Sequence, residues 1–446
     1  MHARSLSAVA AAAVTGLAVA TSTPLAAHAA PAGAIAWSVH PEQIKAPFTA
    51  HTPSALPTPS DCLAAYGLGC YTPTDIRSAY DIPDTIDGQA AGTGQTIMIV
   101  DAYGSPTAQA DLDTFSQAMG IASTKLDIYA PEGAPDWSAP DKTEYGWAGE
   151  TSLDVQWAHA IAPGAKIDLV VSPAPDESLD AAMRWGLSHL HPDTVSMSYG
   201  DPEFDWANDK EAQQVYRTDS RAYAAAVRSG TTVFASSGDD WSDNGAGEEN
   251  FSSPADDANV VAVGGTNLND GLDPNVPDET VWNDFDGCLY GCTNGSFGGT
   301  GGAPSIMTHK HGSDVAYNAS VYTSVLVYEG FQADAADNGF YFTGGTSSGS
   351  PQWAALTADI DQAIGHRVGD IRPSLARWAK RGGLRDVTVG DNASPTFSGG
   401  YDARTGWDIP TGYGTPDVGR LITLAETGHR RFSGPHVDPA HRGRLH

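Results

Sequence analysis

Residues 343–351 read Thr-Gly-Gly-Thr-Ser-Ser-Gly-Ser-Pro, a run of small residues that lets the backbone turn tightly around Ser347. Pro351 suits the first turn of a helix, where its missing N–H costs no hydrogen bond. Residues 352–360 continue in a helical pattern with an apolar stripe. A serine beside a helix N-terminus meets the positive end of the helix dipole and free backbone donors, which suits a nucleophile. The alternative is a flexible Gly/Ser loop that caps a helix.

Apolar runs of strand length lie upstream of this turn, with helical patterns between several of them. The predicted strands are 96–100, 167–171, 194–198, 231–235 and 259–263. The predicted helices are 178–190 and 211–227, the second ended by Gly230. Buried strands that alternate with helices indicate an α/β fold with a mainly parallel central sheet flanked by helices.

Three polar residues stand where these strands end. Asp101, Tyr199 and Asp239 each lie just past one of the apolar runs. In parallel sheets, functional sites gather beyond the carboxyl ends of the strands. We therefore expect chemistry at this edge of the sheet.

The composition limits the class of protein. The chain has 446 residues, of which 41% are apolar, enough for one large core with extensions. Its 54 acidic and 24 basic residues give a net charge of −30. Nucleic acid is excluded as a partner because phosphate contacts require the opposite sign. An acidic surface relaxes when its carboxylates are protonated, which favours acid conditions, although the acidity could also serve solubility alone.

The first 30 residues have the pattern of an export signal. Arg4 supplies a positive start, an Ala/Val/Leu-rich run extends to about Ala20, and residues 27–29 offer a small-x-small cleavage site. The run is too short and broken for a membrane span, and no later stretch of about 20 apolar residues follows. The sequence therefore predicts a secreted, extracellular protein that does not engage a membrane.

The composition also divides the rest of the chain. Residues 31–70 are rich in Pro, Ala, Ser and Thr without a helical or strand period, which predicts a loose leader or N-terminal arm. Regular structure is expected from near Thr74, within a main domain at 71–427. Residues 428–446 form a basic tail, which we expect to be mobile.

The chain contains four cysteines, in two pairs that are close in sequence. Cys62 lies near Cys70, and Cys288 lies near Cys292, so two local disulfides are the simplest pairing in a secreted protein. Four cysteines allow three connectivities, and the sequence does not choose among them. No histidine falls at zinc-ligand spacing beside them.

A second informative stretch, GETSLDVQWAHAI, covers residues 149–161. In a helix, Glu150 and Asp154 share a face and adjoin an apolar stripe. Paired carboxylates at such an edge share a proton, which raises one pKa and supplies a general base. The alternative is a solvated acidic turn near a helix start, where negative charge is favourable.

The stretch FASSGDD at residues 234–240 follows a predicted strand and turns at Gly238. If protonated, the Asp239 carboxyl could donate a hydrogen bond and stabilise an oxyanion. The alternative is an aspartate that only caps backbone groups of the turn.

Together these pieces resemble the three motifs of the sedolisins, the serine-carboxyl peptidases. The motifs are Gly-Glu-x-x-Leu-Asp at 149–154, Ser-Ser-Gly-Asp at 236–239 and Gly-Gly-Thr-Ser at 344–347, in the family's order. The resemblance extends over about residues 71–420. It implies a subtilisin-like fold and a secreted endopeptidase that hydrolyses peptide bonds at acidic pH through an acyl-enzyme intermediate. We expect a monomer with protein or peptide substrates as its partners.

The resemblance also assigns roles to four residues. It implies that Ser347 is the nucleophile, Glu150 the base that takes its proton, Asp154 the residue that orients Glu150, and Asp239 a part of the oxyanion hole. A carboxylate base explains the acid preference, because glutamate has a reference pKa near 4.3 and works where histidine would be protonated.

The C-terminal part resembles the family's calcium-binding loop region, which implies one structural Ca²⁺. The resemblance makes Asp386 and Asp408 carboxylate ligands, with backbone carbonyls from Val387, Arg404 and Gly406. Calcium prefers six to eight hard oxygens of this kind. Arg404 stands where the family usually has glycine, which a carbonyl ligand tolerates. The alternative is an Asp/Gly-rich surface turn.

Three features depart from the family. Only about 40 residues separate the signal from the core, where sedolisins usually carry a long folded propeptide. Tyr199 stands where a tryptophan is common, and Asp101 where some members have glutamate, so a proton relay through these positions could be altered.

Two other functions remain open. One is an inactive, calcium-stabilised extracellular binding protein on a protease fold. The other is an ordinary Ser-His-Asp hydrolase, for which the only comparable piece is His-Lys-His-Gly at 309–312, in the wrong context.

Overall fold

The computed structural model describes residues 37–39, 42–48, 56–272, 277–285, 297–395 and 397–432, with side chains up to residue 427. Its helices are α1 (Pro59–Tyr66), α2 (Pro73–Ala79), α3 (Ala108–Met119), α4 (Lys142–Ile161), α5 (Glu177–His189), α6 (Glu203–Asn208), α7 (Lys210–Arg228), α8 (Gly349–Ile364), α9 (Arg372–Ala379) and α10 (Val418–Phe432). Among these helices, none is both long and apolar enough to cross a membrane.

The strands are short at the periphery and longer in the centre. They are β1 (Glu42–Lys45), β2 (Gly69–Tyr71), β3 (Thr85–Ile86), β4 (Gln89–Ala90), β5 (Thr96–Ala102), β6 (Leu126–Tyr129), β7 (Lys166–Ser172), β8 (Thr194–Met197), β9 (Asp201–Pro202), β10 (Thr232–Ser236), β11 (Ser252–Ser253), β12 (Val261–Leu268), β13 (Glu279–Val281), β14 (Val315–Asn318), β15 (Thr323–Glu329), β16 (Gly339–Gly344), β17 (Leu384–Arg385) and β18 (Thr415–Pro416).

The central sheet has eight strands in the order β13-β12-β10-β8-β5-β7-β6, with β14 also paired to β12. All these pairings are parallel except that of β13 with β12. This sheet contains all five strands that the sequence predicts, and α5 and α7 match the two predicted helices. The predicted α/β fold class with a mainly parallel sheet is confirmed.

Both faces of this sheet are covered by helices. Side chains alternate along each strand, so neighbouring residues enter different cores. In β5, Ile97 and Ile99 join a core with residues of α4 and α8, while Met98 and Val100 join a second core with residues of α5 and α7. Strands buried on both faces have nearly continuous apolar sequences, and that is the signal by which the sequence reveals them.

A second sheet has the order β1-β16-β15-β2 and includes part of the leader. Strand β1 pairs antiparallel with β16, and β2 pairs parallel with β15. Regular structure therefore begins before Thr74, contrary to the sequence-based expectation. These elements escaped prediction because each is too short to show a period.

Local features fix the leader in place. Helix α1 begins with a capping box, in which Thr58 and Asp61 each accept the other's backbone N–H. A disulfide between Cys62 and Cys70 then ties α1 to β2. This confirms one of the two predicted disulfides, while Cys288 and Cys292, the export signal and the basic tail beyond Phe432 lie outside the described residues.

Candidate active site

Ser347 lies where the second sheet meets the N-terminus of α8. The chain leaves β16 at Gly344, makes a 3₁₀ turn over Thr346–Ser348 and enters α8 at Gly349. Gly345 has a φ of 119°, and a Cβ there would lie 2.6 Å from Oδ2 of Asp239. Only glycine permits this turn and the close approach of the aspartate. The predicted serine turn before a helix is therefore present, with Ser347 buried.

Asp239 reaches this turn from the loop after β10. Its Oδ1 accepts hydrogen bonds from the Thr346 backbone N–H at 2.7 Å and from the Thr346 hydroxyl at 2.6 Å. The Gly238 N–H donates to the same hydroxyl at 3.2 Å. Thr346 thus joins two of the three motifs, a role that the sequence prediction missed although Thr346 precedes the predicted nucleophile.

Glu150 and Asp154 lie one turn apart on α4, and both are fully buried. Burial raises the pKa of each carboxyl well above its ordinary value. The Ser347 hydroxyl acts in the opposite direction on Glu150, and the Ser198 hydroxyl does so on Asp154. The alternative of a solvated acidic turn is therefore wrong, because every residue of α4 from Trp147 to Ile161 is buried.

The Ser347 hydroxyl donates to the Ser198 carbonyl at 3.4 Å, and neither Glu150 oxygen has an aligned hydrogen-bond partner among the described residues. Ser347 nevertheless lies close enough to lower the pKa of Glu150. Catalytic hydrogen bonds are often long before substrate binds and tighten in the complex. The arrangement brings serine and glutamate together without a formed proton path.

Asp101 is a third carboxyl in this cluster. It is the penultimate residue of β5 and is fully buried, and burial raises its pKa to about 7, while the Thr151 hydroxyl lowers it. Its charge raises the pKa of both Glu150 and Asp154. The sequence prediction placed Asp101 at the functional edge of the sheet, and the structure adds its proximity to the paired carboxyls.

A cleft opens over Ser347 and Asp239. Its other lining residues are Ser38, Val39, Ser198, Tyr199, Gly200, Asp201, Pro202, Ser236, Gly238, Asp240, Asn244 and Ser252. No histidine is among these lining residues in the described part of the chain. The group beside Ser347 that could take its proton is the Glu150 carboxyl.

The residues expected to hold calcium lie in the turns between β17 and β18. Asp386 directly follows β17, and its Oδ2 accepts the Gly406 N–H at 2.9 Å. Asp408 is fully buried, and its Oδ2 accepts the Arg404 N–H at 3.1 Å. Burial raises the pKa of Asp408, hydrogen bonds from Thr411 and Arg404 lower it, and the charge of Asp386 raises it again. The two carboxylates therefore converge on one loop.

This donor set fits a hard cation such as Ca²⁺, because carboxylate and carbonyl oxygens are its preferred ligands. Gly406 has a φ of 87°, the left-handed region in which a glycine is favoured. No group of three or more His, Cys, Asp or Glu side chains that could hold a metal occurs in the described ranges. Backbone carbonyls would therefore have to complete the coordination.

Comparisons with known proteins agree with this geometry. Residues 146–407 match the subtilase family. The chain is 32% identical over 394 residues to kumamolisin from Bacillus sp. (strain MN-32), which covers 84% of this chain and 65% of the relative. It is 29% identical over 385 residues to sedolisin from Pseudomonas sp. (strain 101), which covers 80% of this chain and 62% of the relative.

A solved structure shows the same fold. Pseudomonas sedolisin, a serine-carboxyl proteinase complexed with two molecules of pseudo-iodotyrostatin, superposes with a TM-score of 0.66 at 26% identity. The match covers 80% of this chain and 98% of that structure. The chain spans slightly less than two thirds of the length of the two relatives above. It has a subtilisin-like fold and belongs to the subtilase family, within the sedolisin group of serine-carboxyl peptidases.

Proposed function

We propose that this protein is a secreted endopeptidase that hydrolyses peptide bonds at acidic pH by a Ser-Glu-Asp mechanism. One observation carries the proposal: Ser347, at the N-terminus of α8, lies beside the buried carboxyl pair of α4 and the Asp239 turn. A nucleophile, a base and an oxyanion donor within one cleft are the parts that acyl transfer requires.

In the first step, the Ser347 Oγ attacks the carbonyl carbon of the scissile bond and its proton passes to the Glu150 carboxylate. Asp154 lies one turn along α4 and shares the buried site, so it orients Glu150 and shares the cluster's protons. Protonated Glu150 then gives the proton to the leaving amine as the C–N bond breaks. This leaves an ester between the acyl group and Ser347.

Hydrolysis of the ester uses the same groups in reverse order. Glu150 takes a proton from a water molecule as the oxygen of that water attacks the ester carbonyl carbon. It then returns that proton to the Ser347 Oγ as the acid product leaves. No external oxidant or group donor is needed.

Asp239 supplies a donor to the tetrahedral oxyanion. Its Oδ1 already accepts two hydrogen bonds from Thr346, so the donated proton belongs on Oδ2. Such a donor is effective because it is fixed before charge develops on the substrate oxygen. An ionised Asp239 would repel the oxyanion, which explains a loss of activity toward neutral pH.

The buried cluster gives a second reason for acid activity. Glu150, Asp154 and Asp101 are all desolvated, and the charge of Asp101 raises the pKa of the other two carboxyls. Near neutral pH the cluster would have to hold several charges without counter-ions. Acid supplies the protons that leave one carboxylate to act as the base.

We further propose that one Ca²⁺ binds the C-terminal loop through the Asp386 and Asp408 carboxylates and the carbonyls of Val387, Arg404 and Gly406. The ion would stabilise the loop and take no part in the chemistry. The peptidase domain is proposed to extend over residues 71–427, preceded by the export signal and leader and followed by the basic tail.

The proposed activity is tested by casein clearing and peptide hydrolysis at acid pH. Purified wild-type protein should cleave, and Ser347→Ala should not, with circular dichroism showing that both are folded. If the folded wild-type protein, freed of its leader, cleaves no peptide in a broad library, the inactive binding protein is the better description. An alkaline optimum with a histidine-like titration would instead favour a Ser-His-Asp hydrolase.

A further inference from the structure

Residues 37–39 of the leader lie in the cleft in an extended conformation. The Ser38 N–H donates to the Gly200 carbonyl at 3.1 Å, and the Gly200 N–H donates to the Ser38 carbonyl at 3.0 Å. This reciprocal pair is an antiparallel bridge between the leader and the loop after β8. Val39 follows and lines the same cleft as Ser347 and Asp239. The leader thus occupies the space in which a peptide must lie to reach Ser347.

The leader also pairs with strand β16, which ends just before Ser347. Glu42 pairs with Gly344, three residues before Ser347. Burial, together with the charges of Asp239, Asp240 and Asp284, raises the pKa of Glu42 to about 8. The Glu42 carboxyl therefore lies within electrostatic range of Asp239, the proposed oxyanion donor. The described leader residues therefore pair with two segments of the site, the loop after β8 and the end of strand β16.

Trp37 fills a pocket at one end of this path. Only 4% of its surface is exposed. Its ring packs against Tyr199 and Trp206, with ring centroids 5.1 and 4.8 Å away. Its indole Nε1–H donates to Oδ1 of Asp180 at 3.0 Å, and its backbone N–H donates to the Pro175 carbonyl at 2.8 Å. Apolar walls with one acceptor in the ring plane match an indole in shape and polarity.

We propose that the pocket formed by Tyr199, Trp206 and Asp180 is a substrate subsite selective for tryptophan, which the leader occupies with Trp37. In a bound substrate, one residue would line the cleft beside Ser347 as Val39 does. The tryptophan would lie two positions before that residue, as Trp37 lies before Val39. The proposal rests on the proposed peptidase function and specifies its substrate class: extended peptides with tryptophan at that position.

Asp180 is the residue that sets the preference for tryptophan over phenylalanine. Phenylalanine would fill the apolar part of the pocket but leave the buried Asp180 acceptor without its donor. A site built around a hydrogen bond discriminates strongly against an analogue that lacks the partner, because the unpaired buried group stays desolvated. Alanine would leave both the acceptor and the aromatic walls without contacts.

The test measures binding without catalysis, on the full chain. The parent is Ser347→Ala. In a released variant, Trp37→Ala and Ser38→Pro are added, because alanine empties the pocket and proline removes the N–H that pairs with Gly200. The probes are the capped tripeptides acetyl-Trp-Ser-Val-amide, acetyl-Phe-Ser-Val-amide and acetyl-Ala-Ser-Val-amide, with affinities from titration calorimetry.

The released variant should bind the tryptophan probe at least tenfold more tightly than the parent does, since the parent's leader competes. The released variant should bind the phenylalanine probe about tenfold more weakly than it binds the tryptophan probe. It should bind the alanine probe more weakly than either. Adding Asp180→Leu should remove the preference for tryptophan over phenylalanine. Adding Asp180→Asn, which keeps an acceptor of the same shape, should retain it.

Equal binding of the three probes by a folded released variant would overturn the subsite. The pocket would then be only an anchor for the leader. Because all variants carry Ser347→Ala, this result is independent of whether the wild-type protein hydrolyses peptides. Selective binding alongside an inactive wild-type protein would keep the subsite and overturn the proposed function alone.

Discussion

The active-site cleft and the C-terminal loop are both rich in carboxyl groups, yet they differ in the hydrogen-bond donors that face those carboxyls. In the cleft, Glu150 and Asp154 are fully buried and have no aligned hydrogen-bond donors among the described residues, so burial favours their protonated forms. In the loop, Asp386 and Asp408 each accept a backbone N–H, and Asp386 is exposed to solvent. Backbone donors favour the ionised form of a carboxyl, although burial still raises the pKa of Asp408.

The difference shows that the function of an acidic cluster depends on the hydrogen-bond donors that face its carboxyls and on their exposure to water. The number of acidic residues alone does not decide it. A desolvated cluster stores protons and suits acid–base chemistry. In the loop, hydrogen bonds from Thr411 and Arg404 lower the pKa of Asp408 against the larger effect of burial, and neighbouring carbonyl oxygens could complete a cation site. The same residue types are therefore proposed to serve two different sites, and each prediction below tests one of them.

The largest effect is expected from Glu150→Gln, which removes the base and leaves the shape of the side chain. Turnover at acid pH should fall by several powers of ten, because residues that act as a unit lose nearly all function when one is removed. Asp154→Asn should also lose activity, to a smaller extent. The measurement is kcat on a peptide substrate, with Glu211→Gln on the exposed start of α7 as the matched control. Activity of folded Glu150→Gln within tenfold of wild type would contradict the mechanism.

Asp239→Ala should lower turnover by about 100- to 1,000-fold with near-normal substrate binding, since the donor acts in the transition state. Asp239→Asn keeps a donor that cannot ionise and should retain more activity, with less decline as pH rises. Thr346→Val removes the hydroxyl that donates to Asp239 but keeps the backbone N–H, so it controls for the shape of the turn. A wild-type rate for the folded alanine variant would mean that Asp239 only shapes that turn.

Stability should be greatest in acid and fall as pH rises through neutrality. Burial raises the pKa values of Asp101 to about 7 and of Glu329 and Asp361 to about 8. A folded-state pKa above the unfolded value means that the folded protein binds more protons, so stability is full below about pH 4 and is lost up to about pH 8. Each pKa unit corresponds to about 1.4 kcal/mol.

This pH dependence is measured by thermal melting of Ser347→Ala from pH 4 to pH 8, with chelator present to remove any effect of calcium. Asp101→Asn, which mimics the protonated carboxyl, should flatten the profile. A melting temperature that rises from pH 4 to pH 8 would show that these carboxyls are not held protonated.

The smallest effect belongs to the C-terminal loop and has the opposite sign. Chelator should lower the melting temperature near neutral pH by a few degrees, because an ion that binds only the folded state stabilises it by mass action. In strong acid the carboxylates are protonated and the effect should shrink. Asp386→Asn should abolish the response to chelator. Absence of calcium in purified protein, together with no change in melting on adding it, would remove this site.

The central sheet could be predicted from the sequence because strands that are buried on both faces have continuous runs of apolar residues. It also placed Glu150 and Asp154 on one helix face through their spacing. Their degree of burial could not be predicted, because α4 is covered by elements far away in the chain. Only the tertiary structure brings Asp101 of β5 beside them.

The leader was the least predictable region. Strand β1 and the residues around Ser38 have no period, and each is ordered by pairing with residues more than a hundred positions away, in β16 and at Gly200. Thr346 was overlooked for a similar reason, because its role depends on Asp239 arriving from another loop. Local sequence patterns predict local structure. Features that depend on contacts between distant segments, such as the pairing of the leader and the role of Thr346, could not be predicted from them.

The pairing of β1 with β16 determines what removal of the leader would expose. Strand β1 is the outermost strand of its sheet, so its removal would make β16 an edge strand that ends beside Ser347. An edge strand presents unpaired N–H and C=O groups and recruits any extended chain that can complete them. Loss of β1 would thereby move the free edge of this sheet next to the nucleophile, where an extended peptide could add as a strand.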